Sequence, residues 1–158
     1  PRISAMFAAR SRLRGAAREP NPMRRIFVDT NVFLRFLTQD DLDKAERARR
    51  LFASAVAGEV VVETSLLVIA EIVWTLESFY GLTHDEIAEQ VTTILTTPNF
   101  ECPNKELLLE ALPAYTEHNV DFIDAYHAAF LQRRHGVSLA TFDRKHFRRF
   151  PGLDLFDL

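Results

Sequence analysis

Five carboxylates could do chemistry in this sequence: Asp29, Glu71, Asp121, Asp124 and Asp143. Asp29 ends the apolar run Ile26-Phe27-Val28 and is followed by Thr30 and Asn31. A short strand ending on an acid places a carboxylate at the carboxyl edge of a sheet, where open α/β sheets bind ligands. Asp143 repeats the arrangement, following Ala140-Thr141-Phe142. Each of the two would also serve as an ordinary helix N-cap. Glu71 sits within Leu66-Leu67-Val68-Ile69-Ala70-Glu71-Ile72-Val73-Trp74-Thr75-Leu76 with no basic residue in that helix. A carboxylate buried on such an apolar helix is costly unless paired or metal-bound. The alternative is a thin solvent-facing stripe shared with Thr75 and Ser78. Asp121 and Asp124 lie one turn apart on one helix face, continued by His127, with Ala125, Ala128 and Ala129 allowing close packing. Asp121 also reads as a plain cap.

Carboxylates gathered at one point repel unless a cation neutralises them. Oxygen ligands, with a single cysteine (Cys102) in the chain, favour Mg²⁺ or Mn²⁺. Such an ion, keeping several waters, suits phosphodiester hydrolysis. The five histidines show no metal-ligand spacing on one helix and read as surface or packing residues, with His127, which continues the Asp121–Asp124 face, the one that stands out. There is no Gly-x-Ser-x-Gly elbow and no glycine-rich phosphate loop. Arg133, Arg134, Arg144, Lys145, Arg148 and Arg149 cluster around Asp143. They read either as a solvated helix end or as a phosphate-contacting rim.

The elements that must position these residues alternate. A strand at Ile26–Val28 leads to a helix from about Asn31 to Thr38 and a second from Leu42 to Ala57, ended by Gly58. A strand at Glu59–Glu63 follows, then a helix capped by Thr64 or Ser65 that runs to about Tyr80, and another from Thr83 to Thr97. A weak strand at Phe100–Cys102 precedes a helix over Lys105–Glu117, which Pro113 can kink, and another over Asp121–His135. Val137–Ala140 reads as a fourth strand and Leu153–Phe156 as an edge strand. Strands alternating with helices predict an α/β domain with a mainly parallel sheet of four to five strands.

The length of 158 residues predicts one domain, and a 47% hydrophobic content supplies a sizeable core. No apolar run reaches the ~18 residues needed to span a bilayer. One cysteine excludes an internal disulfide framework and fits a reducing, cytoplasmic setting. The net charge of −3 is uneven: residues 1–22 hold five arginines against Glu19, or 5 − 1 = +4, leaving −7 for residues 23–158. Residues 1–22 read as a basic extension outside the core, and Met23 as a natural start. The acidic remainder argues against non-specific duplex binding over a wide basic face.

Val28-Asp29-Thr30-Asn31-Val32-Phe33-Leu34, Ala70-Glu71-Ile72-Val73-Trp74, Asp121-Phe122-Ile123-Asp124-Ala125 and Ala140-Thr141-Phe142-Asp143 together resemble a PIN domain, in order and from Met23 to about Leu158. The bacterial VapC-type toxin ribonucleases are the branch most similar to them. The resemblance implies a PIN-like, Rossmann-like three-layer α/β/α fold and a Mg²⁺- or Mn²⁺-dependent endoribonuclease. Asp29, Glu71, Asp124 and Asp143 would be its acidic residues, with Asp121 an accessory ligand. Thr30, Asn31 and Thr141 would orient the carboxylates, and Arg133, Arg134, Arg144, Lys145 and Arg148 would contact RNA. It also implies a homodimer and a cognate antitoxin that blocks the site. A haloacid-dehalogenase-type phosphatase also begins with a strand and an Asp, but wants a second Asp two residues on, where this chain has Asn31. A non-catalytic PIN-like RNA-binding or scaffold protein should have lost acids that this chain keeps.

Overall fold

The computed structural model describes residues 23–158; the basic extension over residues 1–22 lies outside the described residues. Three short strands form one parallel sheet in the order β1-β2-β3: β1 (Arg24–Phe27), β2 (Val60–Glu63) and β3 (Phe100–Glu101). Paired helices make each crossover. β1 leads to α1 (Thr30–Thr38) and α2 (Leu42–Val56), β2 to α3 (Leu66–Ser78) and α4 (His84–Thr96). After β3 come α5 (Lys105–His118), α6 (Phe122–Gln132) and the one-turn α7 (Arg144–Phe147). Parallel neighbours need such crossovers, and they bring the carboxyl end of each strand beside the start of the next helix.

Helix boundaries follow local chemistry. Asp41, Ser65 and Thr83 each accept a backbone N–H of the first turn, and Glu86 completes a capping box with Thr83. Gly58, at φ 77°, closes α2 in a conformation that a side chain would strain. Pro113 sits inside α5.

Register sorts the sheet into two faces. Ile26, Val62 and Phe100 are aligned across the strands, and Val62 is fully buried. Phe100 joins Phe33 of α1 and Phe52 of α2 in an aromatic cluster with centroids 5.1–6.4 Å apart. The core continues through Ile69, Ile72 and Leu76 of α3, Ile87 and Val91 of α4, and Leu108 and Tyr115 of α5. The other face carries Arg25, which bridges Glu63 and Glu101, beside an exposed Phe27.

The α/β class and the all-parallel central sheet match expectation, with one difference in strand number. Leu139 and Leu155 form a single parallel bridge, closed by Leu139 N–H to the Asp154 carbonyl (2.7 Å) and Phe156 N–H to the Leu139 carbonyl (2.9 Å). Among the described residues this pair does not join the three-stranded sheet. Val137, Ser138 and Ala140 around the bridge are exposed, so the segment buries too little apolar surface to act as a central strand. α6 also ends earlier than expected, at Gln132, with Arg133 as its cap. No helix among the described residues is long and apolar enough to cross a membrane.

Candidate metal centre

Asp29 follows the carboxyl end of β1 and stands at the N-cap position of α1, yet its side chain makes no capping bond. Its Oδ2 accepts instead from Asn31 Nδ2 at 2.7 Å. Thr30 beside it is buried, and its Oγ1 donates to Glu71 Oε2 at 2.6 Å. One short turn after β1 therefore aims two acids, Asp29 through Asn31 and Glu71 through Thr30.

Glu71 itself corrects the sequence reading. It is exposed, as are Leu67 (78%) and Trp74 (67%) on the same face of α3. The helix is apolar on both sides, and the side bearing Glu71 faces out. No buried unpaired charge therefore has to be explained; the informative contact is the one with Thr30.

A second group forms where α6 meets α7. Asp121 caps α6, accepting from Ile123 N–H at 2.8 Å, so the plain-cap reading holds for one of its oxygens. Asp124 lies in the first turn of α6 and Asp143 caps α7. Asp143 Oδ1 accepts from His146 N–H at 3.3 Å, while its Oδ2 lies 3.0 Å from His146 Nδ1. Asp124 Oδ2 is 3.7 Å from the same ring nitrogen. Thr141 Oγ1 accepts from Asp143 N–H at 3.0 Å and fixes the turn that presents the acid.

Asp124, Asp143 and His146 each bring a ligand atom within 4.8 Å of the others. Burial raises the Asp124 pKa, and the neighbouring charges of Asp121 and then Asp143 push it the same way, while His146 opposes them. Asp124 is thus a partly buried carboxylate with two others close by. The donor set fits a divalent cation, which would relieve that repulsion.

Asp29 and Glu71 do not belong to this tight trio. The sequence-predicted acids thus fall into Asp29 and Glu71 beside Thr30, and Asp124 and Asp143 beside His146, with the charge of Asp121 acting on Asp124. α3, which carries Glu71, packs against both α1 and α6. His127 is exposed and stands outside the trio; His146 is the histidine that sequence reading passed over. The available signal was its position three residues after the cap Asp143, which puts both on one turn.

None of the five acids has a Lys or Arg partner among the described residues; the imidazole of His146 is the basic side chain beside Asp124 and Asp143. Several acids elsewhere do have such partners. Glu63 and Glu101 share Arg25, Asp40 pairs with Arg35, Glu46 with Arg49 and Arg50, and Glu110 with Arg133.

The basic residues divide as well. Arg133 and Arg134 sit at the far end of α6, roughly 15 Å along its axis from Asp124 at 1.5 Å per residue. Arg133 is spent on Glu110, and Arg134 lies over the Phe130 ring. Placed there, neither rims the acids. Arg144 pairs with Asp157 and bonds the Phe156 carbonyl, and Arg149 donates to the His118 carbonyl at 2.7 Å. Lys145 and Arg148, on and just after α7, are exposed and make no ion pair among the described residues.

The PIN domain family model matches residues 26–153, a span that includes all five acids and His146. No curated protein matches the chain. With the parallel sheet, the acid at the end of β1 and a family match over most of its length, the chain belongs to the PIN domain family.

Proposed function

We propose that this protein is a Mg²⁺- or Mn²⁺-dependent endoribonuclease, the toxin of a toxin–antitoxin pair acting in the cytoplasm. The observation that carries this reading is the cluster of Asp124, Asp143 and His146, whose ligand atoms lie within 4.8 Å of one another while neither acid has a Lys or Arg partner among the described residues. Membership of a family that generally comprises metal-dependent nucleases supports the same class of chemistry.

Asp124 and Asp143 would hold the ion, and Asp29 and Glu71 would complete the acidic site from the β1 side. A bound divalent cation supplies Lewis-acid polarisation of the phosphate and a water of lowered pKa. Asn31 would orient the Asp29 carboxylate by donating to its Oδ2, and Thr30 would orient that of Glu71 by donating to its Oε2. Asp121, tied to its own helix, adds negative charge beside Asp124. Lys145 and Arg148 stand on the same turn as Asp143 and would hold the RNA backbone. Phe142 (93% exposed) precedes Asp143, offering a flat face on which an unpaired base can stack.

The partner reading rests on an apolar groove between α1, α2 and α4, lined by Phe36, Leu37, Phe52, Val56 and Ile94. Gln90 also lines it, and its buried Oε1 has no donor. Phe33 and Phe52 are drawn into the core, whereas Phe36 and Leu37 remain partly open to the groove. An amphipathic antitoxin helix would fill it, and a second copy of this chain is the other occupant a binding experiment would reveal.

The test is cleavage of an unstructured RNA with Mg²⁺, with Mn²⁺ and with EDTA, for wild type, Asp124→Asn and Asp143→Asn. Cleavage that needs metal and is lost in both variants is expected. Cleavage that persists in EDTA, or in either variant, would overturn the proposal.

A further inference from the structure

We propose that His146 is a nitrogen ligand of the metal site, completing a mixed oxygen and nitrogen donor set with Asp124 and Asp143. This rests on the metal-dependent reading above and adds to it which ion the site prefers. His146 is the only member of the trio that is not a carboxylate. Its Nδ1 lies 3.0 Å from Asp143 Oδ2 and 3.7 Å from Asp124 Oδ2, so the three donor atoms are close enough to share one ion. The ring is partly exposed, with 39% of its side chain open, and the Asp124 and Asp143 side chains are 25% and 50% open, so an ion can enter from solvent.

Backbone geometry fixes the arrangement. Asp143 is the cap and His146 the third residue of a single turn, so one oxygen of Asp143 is occupied by the His146 N–H while the other stays beside the ring. α7 packs against α6 and thereby sets the ring against Asp124. To ligate, Nδ1 presents its lone pair and the ring proton sits on Nε2, the neutral form of the side chain.

An imidazole changes the selectivity of a carboxylate site. Mg²⁺ is hard and takes oxygen donors, while imidazole nitrogen suits later divalent metals. A site of two carboxylates and one imidazole should therefore favour Mn²⁺ over Mg²⁺ more strongly than carboxylates alone.

The competing role for His146 is a brace that steadies Asp143 without touching metal. His146→Asn separates the two, because an amide nitrogen placed near Nδ1 can still contact Asp143 but supplies no imidazole. The probes are Mn²⁺ and Mg²⁺ alone, without RNA. Calorimetry gives both affinities, and pulsed electron paramagnetic resonance of bound Mn²⁺ reports ¹⁴N coupling from a ligating ring. Wild type should show the nitrogen coupling. His146→Asn should lose it, with Mn²⁺ affinity falling ~10-fold or more and Mg²⁺ affinity falling much less. Mn²⁺ bound by wild type without nitrogen coupling would overturn the ligand assignment and leave the metal-dependent reading standing. Failure of wild type to bind either ion would overturn both. The wild-type spectrum decides the matter even if the variant does not fold.

Discussion

Thr30→Val separates positioning from stability, because Thr30 is buried (4% exposed) while the acid it holds is open to solvent. Valine keeps the shape of the side chain and removes only the hydroxyl that donates to Glu71 Oε2 at 2.6 Å. A hydrogen bond to a charged group contributes ~1.5–3 kcal/mol net. Here the released carboxylate recovers water, and the variant leaves no buried donor unsatisfied. The loss should therefore fall below that range, to about 1 kcal/mol, a melting shift of a few degrees for a domain of this size. The effect on turnover should be larger. Losing a group that orients a site carboxylate typically costs ~10–100-fold. The assay is kcat for metal-dependent RNA cleavage at saturating RNA, alongside a thermal melt. Thr30→Ser, which retains the donor, should recover most of the rate. A Thr30→Val enzyme with unaltered kcat would refute the positioning role, as would equal losses in the valine and serine variants.

Asp124→Asn should leave the metal-free protein as stable as wild type or more so at neutral pH, and should abolish stabilisation by Mn²⁺. The raised Asp124 pKa means that the native carboxyl holds its proton more tightly than the unfolded one. Its contribution therefore lowers stability as pH climbs from the ordinary 3.8 through the raised value, and melts of wild type and variant across that window should converge at the acid end. Lys145→Ala with Arg148→Ala should weaken RNA binding and flatten its salt dependence by roughly one unit of slope or less per lost phosphate contact, with kcat at saturating RNA little changed; the readout is cleavage rate against RNA concentration at several salt concentrations. Leu37→Glu with Val56→Glu puts charge into the α1–α2–α4 groove and should abolish the partner binding proposed for it, read by calorimetry, while sparing RNA cleavage.

Much of this architecture could be read from residue order. The strand-then-acid pattern at Ile26–Asp29 placed a carboxylate at the sheet edge because a strand ending on a polar turn has few other outcomes. Glu71 is a different case: the sequence suggests a buried charge, and the structure exposes it. Apolar residues on both sides of α3 hide which side faces out, and exposed Leu67 and Trp74 show that hydrophobicity alone did not decide it. His146 is not legible from histidine spacing within one helix, because its neighbour Asp124 comes from a different one. The run Val137–Ala140 has strand composition but joins no sheet among the described residues, since strand character shows local preference and not the presence of a partner. The separation of Arg133 and Arg134 from Lys145 and Arg148 was equally invisible, because nearness in sequence says nothing about opposite ends of a helix.

The central claim is that acids from both groups serve one metal centre. Anomalous diffraction from a crystal soaked in Mn²⁺ tests it most directly. The account predicts density against Asp124 and Asp143, with Asp29 and Glu71 turned toward the same ion or its waters at about 2.1–2.2 Å for direct ligands. Mn²⁺ bound away from these residues, or no Mn²⁺ at saturating concentration, would contradict it.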